Sequence, residues 1–134
     1  MQHAVTTYGI GGRVALSHAE AIARTKSALA AEGFGVLCES DVQATLKAKL
    51  NIDRPPYVIL GACNPPLAYQ ALEQEPDLGL LLPCNVVVYE DQGEVWVKAI
   101  EPGAMLSIVG NPDLAPIAEL VRGKLERVLA QVTG

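Results

Sequence analysis

Two apolar runs, Cys84 to Glu90 and Glu94 to Ile100, are separated only by Asp91-Gln92-Gly93. So short a connection cannot carry a crossover, so the runs must pair antiparallel as a hairpin. In the second run Val95, Val97 and Ala99 share one face, and Trp96 and Lys98 share the other. A three-residue connection predicts that Val86 and Val88 lie on the Trp96 side, opposite Val87 and Val95. Both faces of the sheet are then apolar. The second face would need cover from small helices or from another copy of the chain, so a homodimer is expected.

The rest of the chain supplies partners for that hairpin. Val5 to Leu16 reads as a long strand bent by Gly9, Gly11 and Gly12. Ser17 with Glu20 is a capping box for a helix that carries Ile22 and Leu29 and stops at Gly33. Phe34 to Glu39 is a second strand, after which Asp41 caps a short helix with Val42, Leu46 and Leu50 at four-residue spacing. Arg54-Pro55-Pro56 ends that helix ahead of an apolar strand from Tyr57 to Ala62. Asn64 caps the next short helix, Pro65 takes its first position, and Leu67 to Glu75 forms its body. Pro76 to Pro83 is a loop, and Ala104 to Val109 is apolar without a clear period. The last helix starts at Asn111 or Asp113 and carries a stripe from Ile117 to Leu129. This order predicts an α+β fold of one domain, residues 1–134, in which two long helices cover one face of an antiparallel sheet and two short helices are inserted.

The 134 residues carry a formal charge of -5, with Lys and Arg scattered along the chain. That balance argues against a nucleic-acid partner. No apolar run approaches the roughly 20 residues of a membrane span, and the first residues lack the pattern of a signal peptide. A cytoplasmic protein without a membrane partner is therefore expected. Three cysteines, an odd number, are expected to be reduced thiols in that compartment.

Two of those cysteines carry the candidate chemistry. Cys63-Asn64 closes one strand and Cys84-Asn85 opens the next, so antiparallel pairing of the two strands brings both dipeptides to one end of the sheet. Cys38, sharing a face with Phe34 and Val36, is expected at the opposite end as a small buried hydrophobe. Cys63 precedes a helix N-terminus, which favours a thiolate, although Pro65 and Pro66 remove two amide donors from any anion there. Cys63, Asn64, Cys84 and Asn85 form the candidate ligand site. Its two thiols suit Cu(I) or half of a tetrahedral Zn site, with His3 and His18 lying outside the segment. A reversible Cys63 to Cys84 redox pair is an alternative, as is a non-catalytic interaction module in which both cysteines only pack. No complete catalytic constellation is present, and the glycine cluster lacks the spacing of a dinucleotide fingerprint.

Four blocks in order, Glu32-Gly33-Phe34-Gly35-Val36, Asp41 to Leu50, Tyr57 to Pro65 and Gly79 to Val88, resemble the family catalogued as domain of unknown function 302. The resemblance covers nearly the whole sequence. It implies a small α+β domain likened to the TATA-binding-protein fold, homodimeric, and it implies no activity.

Overall fold

The computed structural model describes residues 6–133. Among them are β1 (Gly9–Val14), α1 (His18–Ala31), β2 (Gly35–Asp41), α2 (Val42–Leu50), β3 (Tyr57–Cys63), α3 (Pro65–Gln74), β4 (Cys84–Asp91), β5 (Glu94–Ile100), α4 (Pro102–Ser107) and α5 (Ala115–Thr133). One sheet holds all five strands in the order β1-β5-β4-β3-β2, with every neighbouring pair antiparallel. The fold is α+β, as the order of elements predicts.

Because β1 and β2 occupy opposite edges, the helix between them must traverse the sheet. The 14 residues of α1 reach about 21 Å, close to the ~19 Å that four strand spacings need. Helix α5 packs beside α1, and the two cover one face. Beneath them Leu60, Val86, Val88 and Val97 are fully buried against Leu29 and Leu125. His18 pins the start of α1 to the sheet, its Nε2 lying 2.9 Å from the Val88 carbonyl. His3 and Val5 lie outside the described residues.

Local signals set most of the boundaries. The Ser17 hydroxyl accepts from the Glu20 amide at 3.1 Å, and its own proton goes to the Glu20 carboxylate. Asp41 caps α2 through the Ala44 amide at 2.9 Å. The helix α1 ends ahead of Gly33, whose φ of +84° suits a residue without Cβ. The ambiguous stretch at Ala104 falls in a short third inserted helix, α4. Glu101 caps it through the amides of Gly103 and Ala104 at 3.2 and 2.7 Å. Pro76–Leu80 and Pro112–Leu114 form 3-10 turns.

The hairpin corrects the sequence expectation. Asp91 pairs with Glu94, so the turn contains only Gln92 and Gly93, both with positive φ (52° and 79°), as a type I′ turn requires. One residue fewer in the loop shifts the register by one and reverses the faces. Val86 and Val88 therefore stand opposite Ala99 and Val97, on the helix-covered side. The uncovered side carries instead a row of Tyr57, Tyr89, Trp96 and Arg13 on four strands. Tyr57 and Tyr89 stack with ring centroids 5.2 Å apart. Lys98 Nζ lies 5.4 and 5.1 Å from the rings of Tyr89 and Trp96, and the Arg54 guanidinium lies 5.0 Å from Tyr57. The short helices do not seal this face. Helix α2 touches β3 but has no buried residue, and α3 packs among α5 and the 3-10 turns.

Candidate functional site: the cysteine corner of the sheet

The register brings the two Cys-Asn dipeptides to one sheet end. Ala62 stands opposite Cys84, and Gly61 opposite Asn85, with Cys63 one step beyond. Cys84 shares the helix-covered side with Ala62 and is 7% exposed. Burial, reinforced by the neighbouring Cys63, pushes its thiol from 9.0 up to about 11. Cys84 is therefore a neutral thiol near pH 7, a poor nucleophile and a poor metal ligand until a proton is removed. Cys63, next to Ala62 along β3, falls on the other side of the pleat and is half-buried. The three thiols are free.

Asn64 is employed by the fold. Its Oδ1 accepts from the Leu67 amide at 3.3 Å, capping α3, and its Nδ2 donates to the Glu32 carbonyl at 3.3 Å, tying the end of α1 to the start of α3. Asn85 is exposed on the uncovered side. Between the sheet end and the helices α3, α4 and α5 lies a cavity of about 50 Å³, bordered by Cys63, Cys84, Leu67, Met105, Ile117 and Phe34 among others. Such a volume exceeds the ~10–15 Å³ that one water needs and falls well short of the ~150 Å³ that admits benzene. It suits a group of a few heavy atoms.

The expectations for Cys38 are corrected. It stands opposite Gly61, two residues from Cys63, and it is exposed. A bulge between Val36 and Cys38 inserts an extra residue into β2, which breaks the alternation that put Cys38 on the face of Phe34 and Val36. All three thiols thus gather at one corner, on three adjacent strands. Among the described residues no group of three or more His, Cys, Asp or Glu converges as a metal site. A closed tetrahedral Zn site within one chain, which needs four ligands, is not assembled there. Sequence reasoning missed both Cys38 and the cation-bearing aromatic row. The row was in principle readable, since Tyr89 and Trp96 flank the turn symmetrically once the loop is two residues long.

Charged side chains elsewhere on the surface have local partners. Lys47 pairs with Asp53 at 2.9 Å, and Arg13 pairs with Glu94 at 2.7 Å. No helix among the described residues is long and apolar enough to cross a membrane.

No curated protein matches the chain. A solved structure described as an uncharacterized conserved DUF302 protein from Bacillus stearothermophilus superposes with a TM-score of 0.89 and 30% identity, covering 95% of this chain and 99% of that one. The family described as "Domain of unknown function DUF302" matches residues 12–132. With the motif blocks, the fold and the family match in agreement, the chain belongs to the DUF302 family.

Proposed function

We propose that the protein binds a small apolar or soft ligand at the cysteine corner, with Cys63, Asn64 and Cys84 as the surrounding residues and Asn85 outside on the other face, in a compartment such as the cytoplasm that keeps thiols reduced. The observation that carries this reading is the cavity of about 50 Å³ bordered by both Cys63 and Cys84. The buried Cys84 thiol and the Met105 thioether on a largely apolar wall favour a ligand of matching softness. Asn64 holds the wall in place through its two hydrogen bonds. The raised thiol of Cys84 weighs against the redox alternative, since a resting neutral thiol exchanges slowly. The test is a titration of the full chain with xenon and with dimethyl sulfide, followed by amide chemical shifts. Saturable shifts at Leu67, Ala71 and Met105 are expected, abolished in an Ala71→Leu variant that fills the space. Absence of shifts at those positions with both probes sinks the reading.

A second reading, self-association through the uncovered sheet face, is favoured by the half-buried Ile59, Val87 and Trp96 on that face. Light scattering on the native chain and on a Val87→Glu variant tests it. A dimer in the first and a monomer in the second is expected, and a monomer in both removes it.

A further inference from the structure

Cys38 and Cys63 lie on the uncovered side of the sheet, on one diagonal of a four-residue block. Gly35 stands opposite Cys63, Cys38 stands opposite Gly61, and the two glycines occupy the other diagonal. The paired positions of this block therefore offer only the two thiols on that side, with the exposed bulge residue Leu37 adjoining them. Cys38 also leans toward β3, because its Sγ lies 2.5 Å from the place a Cβ on Gly61 would take. Gly61 and Cys63 are alternate residues of one strand, about 6.6 Å apart and on the same side. The Cys38 sulfur thus leans toward the strand that carries Cys63, over a glycine that it shares with the Pro83 ring, whose Cγ lies 2.9 Å from the same Cβ position.

The spacing selects what can join them. Diagonal neighbours of a ladder stand about 7–8 Å apart, beyond the ~6.8 Å limit for Cα atoms joined by a disulfide. An ion held by two thiolates at about 2.3 Å each separates the sulfurs by about 4.6 Å and bridges what a direct bond does not. With no third ligand converging among the described residues, the chemistry narrows to soft ions content with two sulfurs, of which Cu(I) is the natural case. Access agrees, since Cys38 is exposed and Cys63 half-exposed, whereas Cys84 is enclosed.

We propose that Cys38 and Cys63 form a two-coordinate thiolate site for a soft monovalent cation, Cu(I), on the uncovered face of the sheet. Binding replaces the two thiol protons, which pass to solvent, with two Cu–S bonds, and copper keeps its oxidation state. Apparent affinity therefore rises with pH. The site uses Cys38 and a sheet face that the cavity reading does not, and shares only Cys63 with it, so Cys38→Ser and Cys84→Ser separate the two readings.

Anaerobic titration of the full chain with Cu(I) against a bicinchoninate competitor, combined with X-ray absorption, provides the test. One ion per chain with two sulfur neighbours is expected for the native protein and for Cys84→Ser. Affinity falls by about 100-fold or more in Cys38→Ser and Cys63→Ser. Gly61→Ala retains every thiol but fills the seat of the Cys38 sulfur, and it weakens binding by at least about tenfold. Unchanged binding in Cys38→Ser, or loss in Cys84→Ser, overturns the assignment, as does half an ion per chain with copper-dependent dimers. Failure here with probe shifts intact at the cavity leaves the first reading standing, and the reverse outcome leaves this one.

Discussion

Cys84 owes its chemical character to its neighbours more than to its motif. Its thiol keeps a proton up to about 11 in the folded chain, against 9.0 ordinarily. Between those two pH values the folded state holds a proton that the unfolded state has lost, so stability falls as pH rises through that window. The full effect is on the order of 2–3 kcal/mol, all of it retained below pH 9. Denaturant unfolding of native protein and Cys84→Ala at pH 8, 9.5 and 11 checks this: the difference between the two should shrink with rising pH, and a constant difference refutes it. At pH 8 alkylation should reach Cys38 first and Cys84 last. Sequence located Cys63 and Cys84 at one sheet end, because antiparallel pairing depends only on which runs are neighbours. It misplaced Cys38 along the strand because β2 runs on to Asp41, and on the wrong face because a bulge is a local change of one residue with no composition signal in Val36-Leu37-Cys38. The cavity lay beyond reach for a different reason, being set by how α3 and α4 meet α5.

At the scale of elements, the chain was legible wherever a side chain closes a helix end. Ser17, Asp41 and Asn64 each accept the amide their position predicts. Register was less legible, since Asp91, Gln92 and Gly93 are all turn formers and a loop of two or three residues fits the same letters. Only the positive φ of Gln92 and Gly93 decides between them. That geometry makes a prediction: Asn tolerates left-handed backbone better than Gln, so Gln92→Asn should stabilise by about 0.5–1 kcal/mol. A loss of stability on this change would mean that the turn is not of this type. The end of β5 offers a second test. Glu101 accepts two amides of α4 and also receives Arg122 Nη1 at 2.8 Å, while Arg122 reaches Glu126 at 3.2 Å. One carboxylate thus joins the start of α4 to the side of α5. Glu101→Ala should cost about 1–2 kcal/mol, and Glu101→Gln, which keeps part of the cap, about half as much. Equal losses in the two would place the energy in the charge and not in the cap.

On the scale of the molecule, burial is divided unequally between two clusters. The larger lies between the sheet and the helices α1 and α5, and includes Leu29, Leu60, Val86, Val88, Val97 and Leu125 at 0% exposure. The smaller joins α3, α4 and the 3-10 turns to the N-terminal half of α5 through Leu67, Ala71, Leu78, Leu114 and Ile117, and it borders the cavity. Helix α5 takes part in both, with Ile117 and Ala118 in the smaller and Leu125 and Val128 in the larger, and Val121 packs against each. Opening the smaller cluster exposes less apolar surface and leaves the ladders between β3, β4 and β5 intact, so it should cost less than global unfolding. Native-state amide exchange should therefore show Ala71 and Leu106 opening at lower free energy than Val86 and Val97. In Glu101→Ala the gap should widen, because the substitution loosens α4 without touching the sheet. If α3, α4 and the central strands all exchange at one common free energy, the two clusters are a single cooperative unit, and a ligand would have to reach the cavity through global unfolding or through an opening that exists already. If the smaller cluster opens by itself, α4 is the movable wall, and exchange at Leu106 should slow when dimethyl sulfide occupies the space beside Cys84.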